Sequence, residues 1–181
     1  MKRGELGKIP RITVLDPGQI GFWNKPELMV TTDDADYVDV IHTSGGENGE
    51  GGYGYLPPIG HADFYPNGGS TQPCCTKHDC PSENCPGENC NDWRNSGPHK
   101  RACAYFEESI LSAEKFPAWR CETSWEDFKE KRSCPFDISS VVSPMGEWSD
   151  VTGPPRGIFY LTTHGDTPFS CEEDDCFLPS Q

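Results

Sequence analysis

Basic side chains are scarce in this chain of 181 residues, with 15 Lys and Arg against 29 Asp and Glu and a formal net charge of −14. A phosphate backbone is bound through a cationic face, so nucleic acid is excluded as a partner, as is simple electrostatic adhesion to an anionic membrane. Apolar residues are also few, at 34%, and no run of them reaches transmembrane length. The first eight residues, Met1 to Lys8, lack the apolar stretch of a signal peptide. What the chain has instead is 19 Gly, 17 Pro and 10 Cys. So much Gly and Pro predicts short elements joined by many loops. An even number of cysteines predicts a disulfide framework and an oxidising compartment, with a cytosolic metal protein as the alternative. The cysteines and the leaderless start agree if the true N-terminus lies upstream. The length suffices for one domain with a sizeable core.

Three β-type runs stand out. Arg11–Leu15 ends at the turn signal Asp16-Pro17-Gly18, Val38–Thr43 ends at Ser44-Gly45-Gly46, and Gly157–Thr163 comes last. A fourth run, Ile59–Tyr65, closes on Pro66-Asn67-Gly68-Gly69. Glu47 to Tyr55, rich in Gly and Glu, is expected to be a mobile loop, and Val141 to Asp150 a plain one. In Pro98–Leu111, Ala102/Cys103, Phe106 and Ile110 recur every three to four residues. That predicts a helix burying those side chains, with Lys100, Arg101, Glu107 and Glu108 mostly on the other side. Pro98 suits the first turn, which places His99 where a loop becomes a helix. The plain alternative is a surface histidine. His42 and His61, near strand ends, are read as structural.

Residues 27–39 carry Glu27, Asp33, Asp34, Asp36 and Asp39. Such a loop can hold Ca²⁺ through carboxylates and carbonyls, but it lacks EF-hand spacing, and a solvated acidic loop is the simpler expectation. Residues 73–98 form a polar insert with Cys75, Cys80, Cys85 and Cys90 evenly spaced. Disulfides within a surface loop suit that spacing better than zinc, which prefers tighter Cys-x₂-Cys pairs. Cys121 and Cys134 flank Trp125 and Phe128 and can close that excursion. The acidic tail, 171–181, holds Cys171 and Cys176, a local pair.

Two residues combine into chemistry. Asp16 follows a strand, where α/β folds place working residues, and His99 opens a helix. An aspartate that fixes a histidine's tautomer lets the histidine act as a base toward a serine. In α/β-hydrolases the order along the chain is Ser, then Asp or Glu, then His, so Asp16 and His99 satisfy its last two steps. A Gly-x-Ser-x-Gly nucleophile motif is absent from the chain; Gly68-Gly69-Ser70-Thr71-Gln72 fails at its last position.

The chain resembles the second half of the catalytic domain of the pancreatic-type lipase family, which includes triacylglycerol lipases and secreted phospholipases A1. The resemblance runs in order through Arg11-Ile12-Thr13-Val14-Leu15-Asp16-Pro17, Pro26-Glu27-Leu28, residues 34–43, residues 59–69, and His99-Lys100-Arg101-Ala102. It continues through Tyr105-Phe106, Glu108-Ser109-Ile110, Met145-Gly146 and Phe159-Tyr160-Leu161. It implies an α/β fold, part of an α/β-hydrolase domain, over residues 1–170, with 73–98 as a lid-like insert. It implies Asp16 as the triad acid, His99 as the triad base, residues 44–59 as a loop beside the substrate cleft, and a disulfide between Cys121 and Cys134. A family Ca²⁺ site would map to the Glu27 carbonyl and the Asp34 carboxylate. The loop is one residue short of the family pattern, and no cofactor is required for the chemistry. The nucleophile and the oxyanion donors belong to the family's first half.

The resulting expectation is a fragment of a secreted carboxylic ester hydrolase acting on lipid at a lipid–water interface. Triacylglycerol is favoured and phospholipid remains open. The chain alone is expected to be inactive and poorly stable, because its own domain's first half is missing. The alternatives are a non-catalytic lipase-like lipid-binding or storage protein, and a cysteine-rich metal-binding module.

Overall fold

The computed structural model describes residues 9–47, 51–73, 97–111, 116–134, 142–149 and 156–171. The chain runs β1 (Ile9–Leu15), β2 (Ala35–Ile41), β3 (Gly45–Gly46), β4 (Gly54–Tyr55), β5 (Ala62–Pro66), α1 (Gly97–Leu111), β6 (Phe116–Arg120), α2 (Trp125–Lys131), β7 (Val142–Met145) and β8 (Gly157–Leu161). Six strands form one sheet in the order β1-β2-β5-β8-β6-β7, and β3 and β4 form a separate parallel pair. β1, β2, β5 and β8 are mutually parallel, with β1 against β2 from Ile9↔Ala35 to Leu15↔Ile41. β6 runs antiparallel to both β8 and β7. Parallel strands joined by long crossovers make this an α/β protein.

Strand alternation sorts the core into two faces. Phe64 of β5 and Phe159 and Leu161 of β8 pack with Tyr37, Ile41, Phe116 and Met145 beneath Ala102 and Tyr105 of α1. Their neighbours Tyr65, Ile158 and Tyr160 face the other way, toward Phe128 and Trp125 of α2. Val38 and Val40 of β2 join Ile12 and Val14 of β1, Val30 and Ile59 in a third cluster. α2 is locally specified: Ser124 Oγ accepts the Asp127 N–H at 3.2 Å, and Arg132 ends the helix in the left-handed region. The Cys121–Cys134 disulfide closes the segment around it, as expected.

The helix at residues 98–111 forms but buries a different face. Its buried residues are Gly97, Arg101, Ala102, Tyr105 and Ser109, while Cys103 is exposed and Ile110 is half exposed. Three polar side chains go inward because distant loops supply partners. Arg101 Nη2 donates to Pro73 O (3.0 Å) and Gly165 O (2.8 Å), and its guanidinium lies 4.4 Å from the Phe169 ring centroid. Tyr105 Oη bonds Gln72 (2.9 Å) and Thr163 (2.7 Å). Ser109 Oγ accepts the Glu147 N–H at 3.0 Å. Gly97 and Pro98, taken as the end of the insert, are already helical; residues 74–96 lie outside the described residues.

Other expectations shift as well. Residues 142–145, read as loop, form β7. Ile59 and Gly60 precede β5 rather than belonging to it. The stretch expected to be a mobile loop is tied in where it is described: Gly54 N donates to Ser44 O (2.9 Å), Tyr55 N to Pro17 O (2.6 Å) and Gln19 N to Tyr53 O (2.8 Å). Cys171 is disulfide-bonded; Cys176, its expected partner, lies outside the described residues.

Candidate active site

Asp16 is the first residue past β1, at the carboxyl end of the parallel strands. Its backbone stays in the ladder, donating to Ile41 O at 2.8 Å, and then turns through a left-handed conformation with φ 45°. Asp tolerates that region better than most residues. The turn carries the carboxylate under the segment that follows β2. There Oδ1 accepts two backbone N–H groups, from Thr43 at 2.8 Å and Ser44 at 3.0 Å. Oδ2 accepts from Nδ1 of His99 at 2.6 Å. The Asp16 side chain is fully buried, whereas that of His99 is 37% exposed.

This geometry is directional. An ionised carboxylate can only accept, so His99 carries its proton on Nδ1 toward Asp16 and leaves Nε2 as the ring's working nitrogen. The hydrogen bond that His99 donates to Asp16 raises the His99 pKa above its ordinary value; partial burial pulls it down, and the carboxylate's charge adds to the rise. Tyr53 flanks the imidazole, with ring centroids 5.9 Å apart. The structure thus brings together Asp16 and His99, which are 83 residues apart in sequence.

The cation site that the resemblance implies would use the Glu27 carbonyl and the Asp34 carboxylate. Glu27 sits exposed in a single 3-10 turn, Pro26–Leu28. Asp34 Oδ2 accepts from Thr31 N (2.9 Å) and Thr31 Oγ1 (3.2 Å), so that carboxylate closes its own turn. Among the described residues no group of three or more His, Cys, Asp or Glu side chains is placed to hold a metal ion. His42 and His61 are structural, as read: His42 is buried between Tyr55 O (2.9 Å) and Asp63 Oδ1 (3.0 Å), and His61 Nδ1 accepts the Val38 N–H at 2.9 Å.

Several contributors had no sequence signal that singled them out. The Thr43 and Ser44 amides cage Asp16 through the backbone, which leaves no mark on residue type. Gly54 is required because a Cβ there would overlap the Asp16 carboxylate. Only Tyr53, an aromatic residue between two glycines, could have been flagged.

A buried carboxylate that orients a half-exposed imidazole at the carboxyl ends of a parallel sheet is the class of arrangement in which hydrolases hold a general base. The chain belongs to the Lipase family, whose model matches residues 2–169. It is 34% identical over 172 residues to the pancreatic triacylglycerol lipase of Ictidomys tridecemlineatus, covering 91% of this chain and 37% of that protein. It is 35% identical over 149 residues to the pancreatic lipase-related protein 2 of Sus scrofa, covering 80% of this chain and 31% of that protein. It is also 35% identical over 155 residues to the inactive pancreatic lipase-related protein 1 of Homo sapiens, covering 81% and 33%. The chain therefore spans about a third of the length of these relatives.

Proposed function

We propose that Asp16 and His99 are the acid and base of a Ser-Asp-His triad in a carboxylic ester hydrolase of α/β-hydrolase type, acting on lipid esters at a lipid–water interface. The observation that carries this is the 2.6 Å Asp16 Oδ2–His99 Nδ1 contact between a fully buried carboxylate and an accessible ring. Nε2 of His99 takes the proton of the nucleophile's hydroxyl as that oxygen attacks the ester carbonyl, and passes it to the departing alcohol. A water, deprotonated in the same way, then frees the acid. Asp16 fixes the tautomer and stabilises the imidazolium. The chemistry is proton transfer and acyl transfer, and it draws on no cofactor.

The similarity to a pancreatic triacylglycerol lipase favours triacylglycerol over phospholipid as the substrate class. The Cys121–Cys134 disulfide supports an extracellular site of action. In this reading residues 1–170 are the catalytic-domain part, 73–98 a covering insert and 171–181 a tail. None of the 181 residues stands in a Gly-x-Ser-x-Gly motif, so the nucleophile comes from polypeptide outside this chain.

A second reading, a lipase-like lipid-binding protein without hydrolysis, is favoured by that missing motif and by the 35% identity to a relative named inactive. Sequencing the transcript ahead of Met1 separates the two. An in-frame Gly-x-Ser-x-Gly, with tributyrin hydrolysis by the extended protein that His99→Ala abolishes, supports the hydrolase. A replaced serine supports the binding protein. Robust ester hydrolysis by these 181 residues alone would overturn the need for an outside nucleophile.

A further inference from the structure

Exposed apolar side chains gather on the turn that follows Asp16. Among the described residues nine large hydrophobic side chains are exposed, and four of them, Ile20, Phe22, Trp23 and Leu28, fall within residues 20–28. Ile20 is 66% exposed, and Phe22 and Trp23 are each 43% exposed. Such residues need no explanation when scattered singly; a cluster does. Hydrogen bonds fix the turn that presents them. Gln19 is buried, its N–H donates to Tyr53 O at 2.8 Å, and its Nε2 donates to Gly52 O. The N–H groups of Phe22 and Trp23 both donate back to Gln19 O at 2.9 Å, and that of Lys25 donates to Phe22 O at 2.7 Å. Tyr53, which anchors the turn, is also the residue that flanks His99.

The chemistry of the turn selects its partner. A stable protein–protein contact takes about 20–30 residues a side, and four side chains on one turn fall far short of that. A lipid surface asks for less. It takes a few apolar side chains into the acyl region and an indole at headgroup level, and it requires that the entering backbone already be bonded. Ile20, Phe22 and Trp23 supply the first two, and the Gln19 and Phe22 carbonyls meet the third. Lys25, exposed at the base of the turn, can reach a headgroup phosphate from there. A net charge of −14 opposes an anionic surface and leaves a neutral or zwitterionic one. Ile110 and Leu111 are exposed too, but they end α1, about 18 Å along the helix from His99.

We propose that residues 20–28 dock this face of the protein on a neutral or zwitterionic lipid surface, with Ile20, Phe22 and Trp23 entering the apolar layer and His99 brought to its boundary. The proposal rests on the lipid part of the functional reading and not on hydrolysis, because a lipid-binding protein without a nucleophile would use the same turn.

The full chain is mixed with vesicles of ether-linked phosphatidylcholine, which an ester hydrolase cannot cleave, and bound protein is collected by flotation. The parent is expected to float saturably. Ile20→Ser combined with Phe22→Ser is expected to weaken partition about 10- to 30-fold, the range for two half-buried apolar side chains lost from the lipid phase. Ile110→Ser combined with Leu111→Ser, at the far end of α1, should leave it unchanged. A second measurement needs no weakened fold: phosphatidylcholine with brominated chains quenches the parent's tryptophan fluorescence. Trp23→Phe, which keeps an aromatic anchor, should float like the parent and lose most of that quenching. Unchanged flotation of the first double variant, an equal loss in the second, or quenching retained in Trp23→Phe would each overturn the proposal. So would a parent that does not float; if it instead forms a dimer that Ile20→Ser with Phe22→Ser dissociates, the turn serves a second copy of the chain. A replaced serine ahead of Met1, which ends the hydrolase reading, leaves all these results as they stand.

Discussion

Gly54 lies directly over the carboxylate of Asp16: a Cβ built on Gly54 would overlap both Asp16 oxygens. The glycine is present for space and not for a left-handed backbone. Asp16 cannot step aside, because the Thr43 and Ser44 amides hold its other oxygen. Gly54→Ala is therefore expected to destabilise the fold by about 1–3 kcal/mol, as overpacking does, and to break the contact with His99. Urea unfolding measures the first effect. Loss of the downfield Nδ1–H resonance of His99 reports the second.

The Asp16–His99 contact has a signed pH dependence. The Asp16 hydrogen bond raises the His99 pKa above 6.5, against the pull of burial. The folded protein thus binds this proton more tightly than the unfolded chain does. The stabilisation is fully present below the unfolded pKa of about 6.5 and is lost as pH rises through the higher folded value. Asp16→Asn keeps the side-chain shape, and Asn accepts the φ of 45° found there. His99 in that variant should titrate at a lower pH than in the parent. An NMR titration of the His99 Cε1–H checks this, and an unchanged or higher value would contradict the pairing.

Arg11 and Asp39 form a second test. Arg11 Nε and Nη2 both reach the Asp39 carboxylate at 2.9 Å, while Nη1 and Nη2 also donate to Glu147 O and Gly146 O at 2.7 Å. The arginine fastens β1 and β2 to the segment after β7. Burial raises the Asp39 pKa, and the Arg11 hydrogen bonds and charge oppose the rise. Arg11→Met leaves a buried carboxylate without its cation, at an expected cost of about 3 kcal/mol at neutral pH. The loss should shrink toward pH 4, where the carboxyl can take up a proton instead. Guanidinium denaturation at the two pH values reads the difference.

The disulfide between Cys121 and Cys134 spans 13 residues and encloses α2. Replacing both cysteines with serine should cost about 3 kcal/mol, the chain-entropy value for a loop of that size. Hydrogen-exchange protection should fall first in α2, whose Phe128 packs against Tyr65 with ring centroids 4.7 Å apart. Equal loss of protection across β2 and β5 would show that α2 is not a separable unit.

The strands with β-branched runs, β1, β2 and β8, were legible because their residues alternate toward two packed faces. So was the partnership of Asp16 with His99, from chain order and family resemblance. β6 and β7 were not legible, and the reason is specific. Each carries a proline, which cannot donate to a ladder and argues against a strand. The sheet tolerates them because β7 is an edge and Pro117 pairs with Pro144, so the two donorless residues face each other. α2 was missed although Ser124-x-x-Asp127 is a capping pattern. The inward face of α1 was misjudged because the partners of Arg101, Tyr105 and Ser109 lie far away in sequence. Periodicity within a helix registers apolar spacing; it is blind to a carbonyl supplied by residue 165.

Among the described residues there are two imidazole–aspartate couples, and solvent access tells them apart. His42 is sealed, stacked on Tyr65 with ring centroids 4.4 Å apart and with both nitrogens occupied, whereas His99 keeps one nitrogen toward the outside. Only the second can exchange protons with a molecule arriving from solution. A water-borne imidazole reagent such as diethyl pyrocarbonate should therefore modify His99 in the folded protein, along with the exposed His164, and reach His42 only once the sheet has opened, so that peptide mapping turns one reagent into both a probe of His99 access and a clock for unfolding.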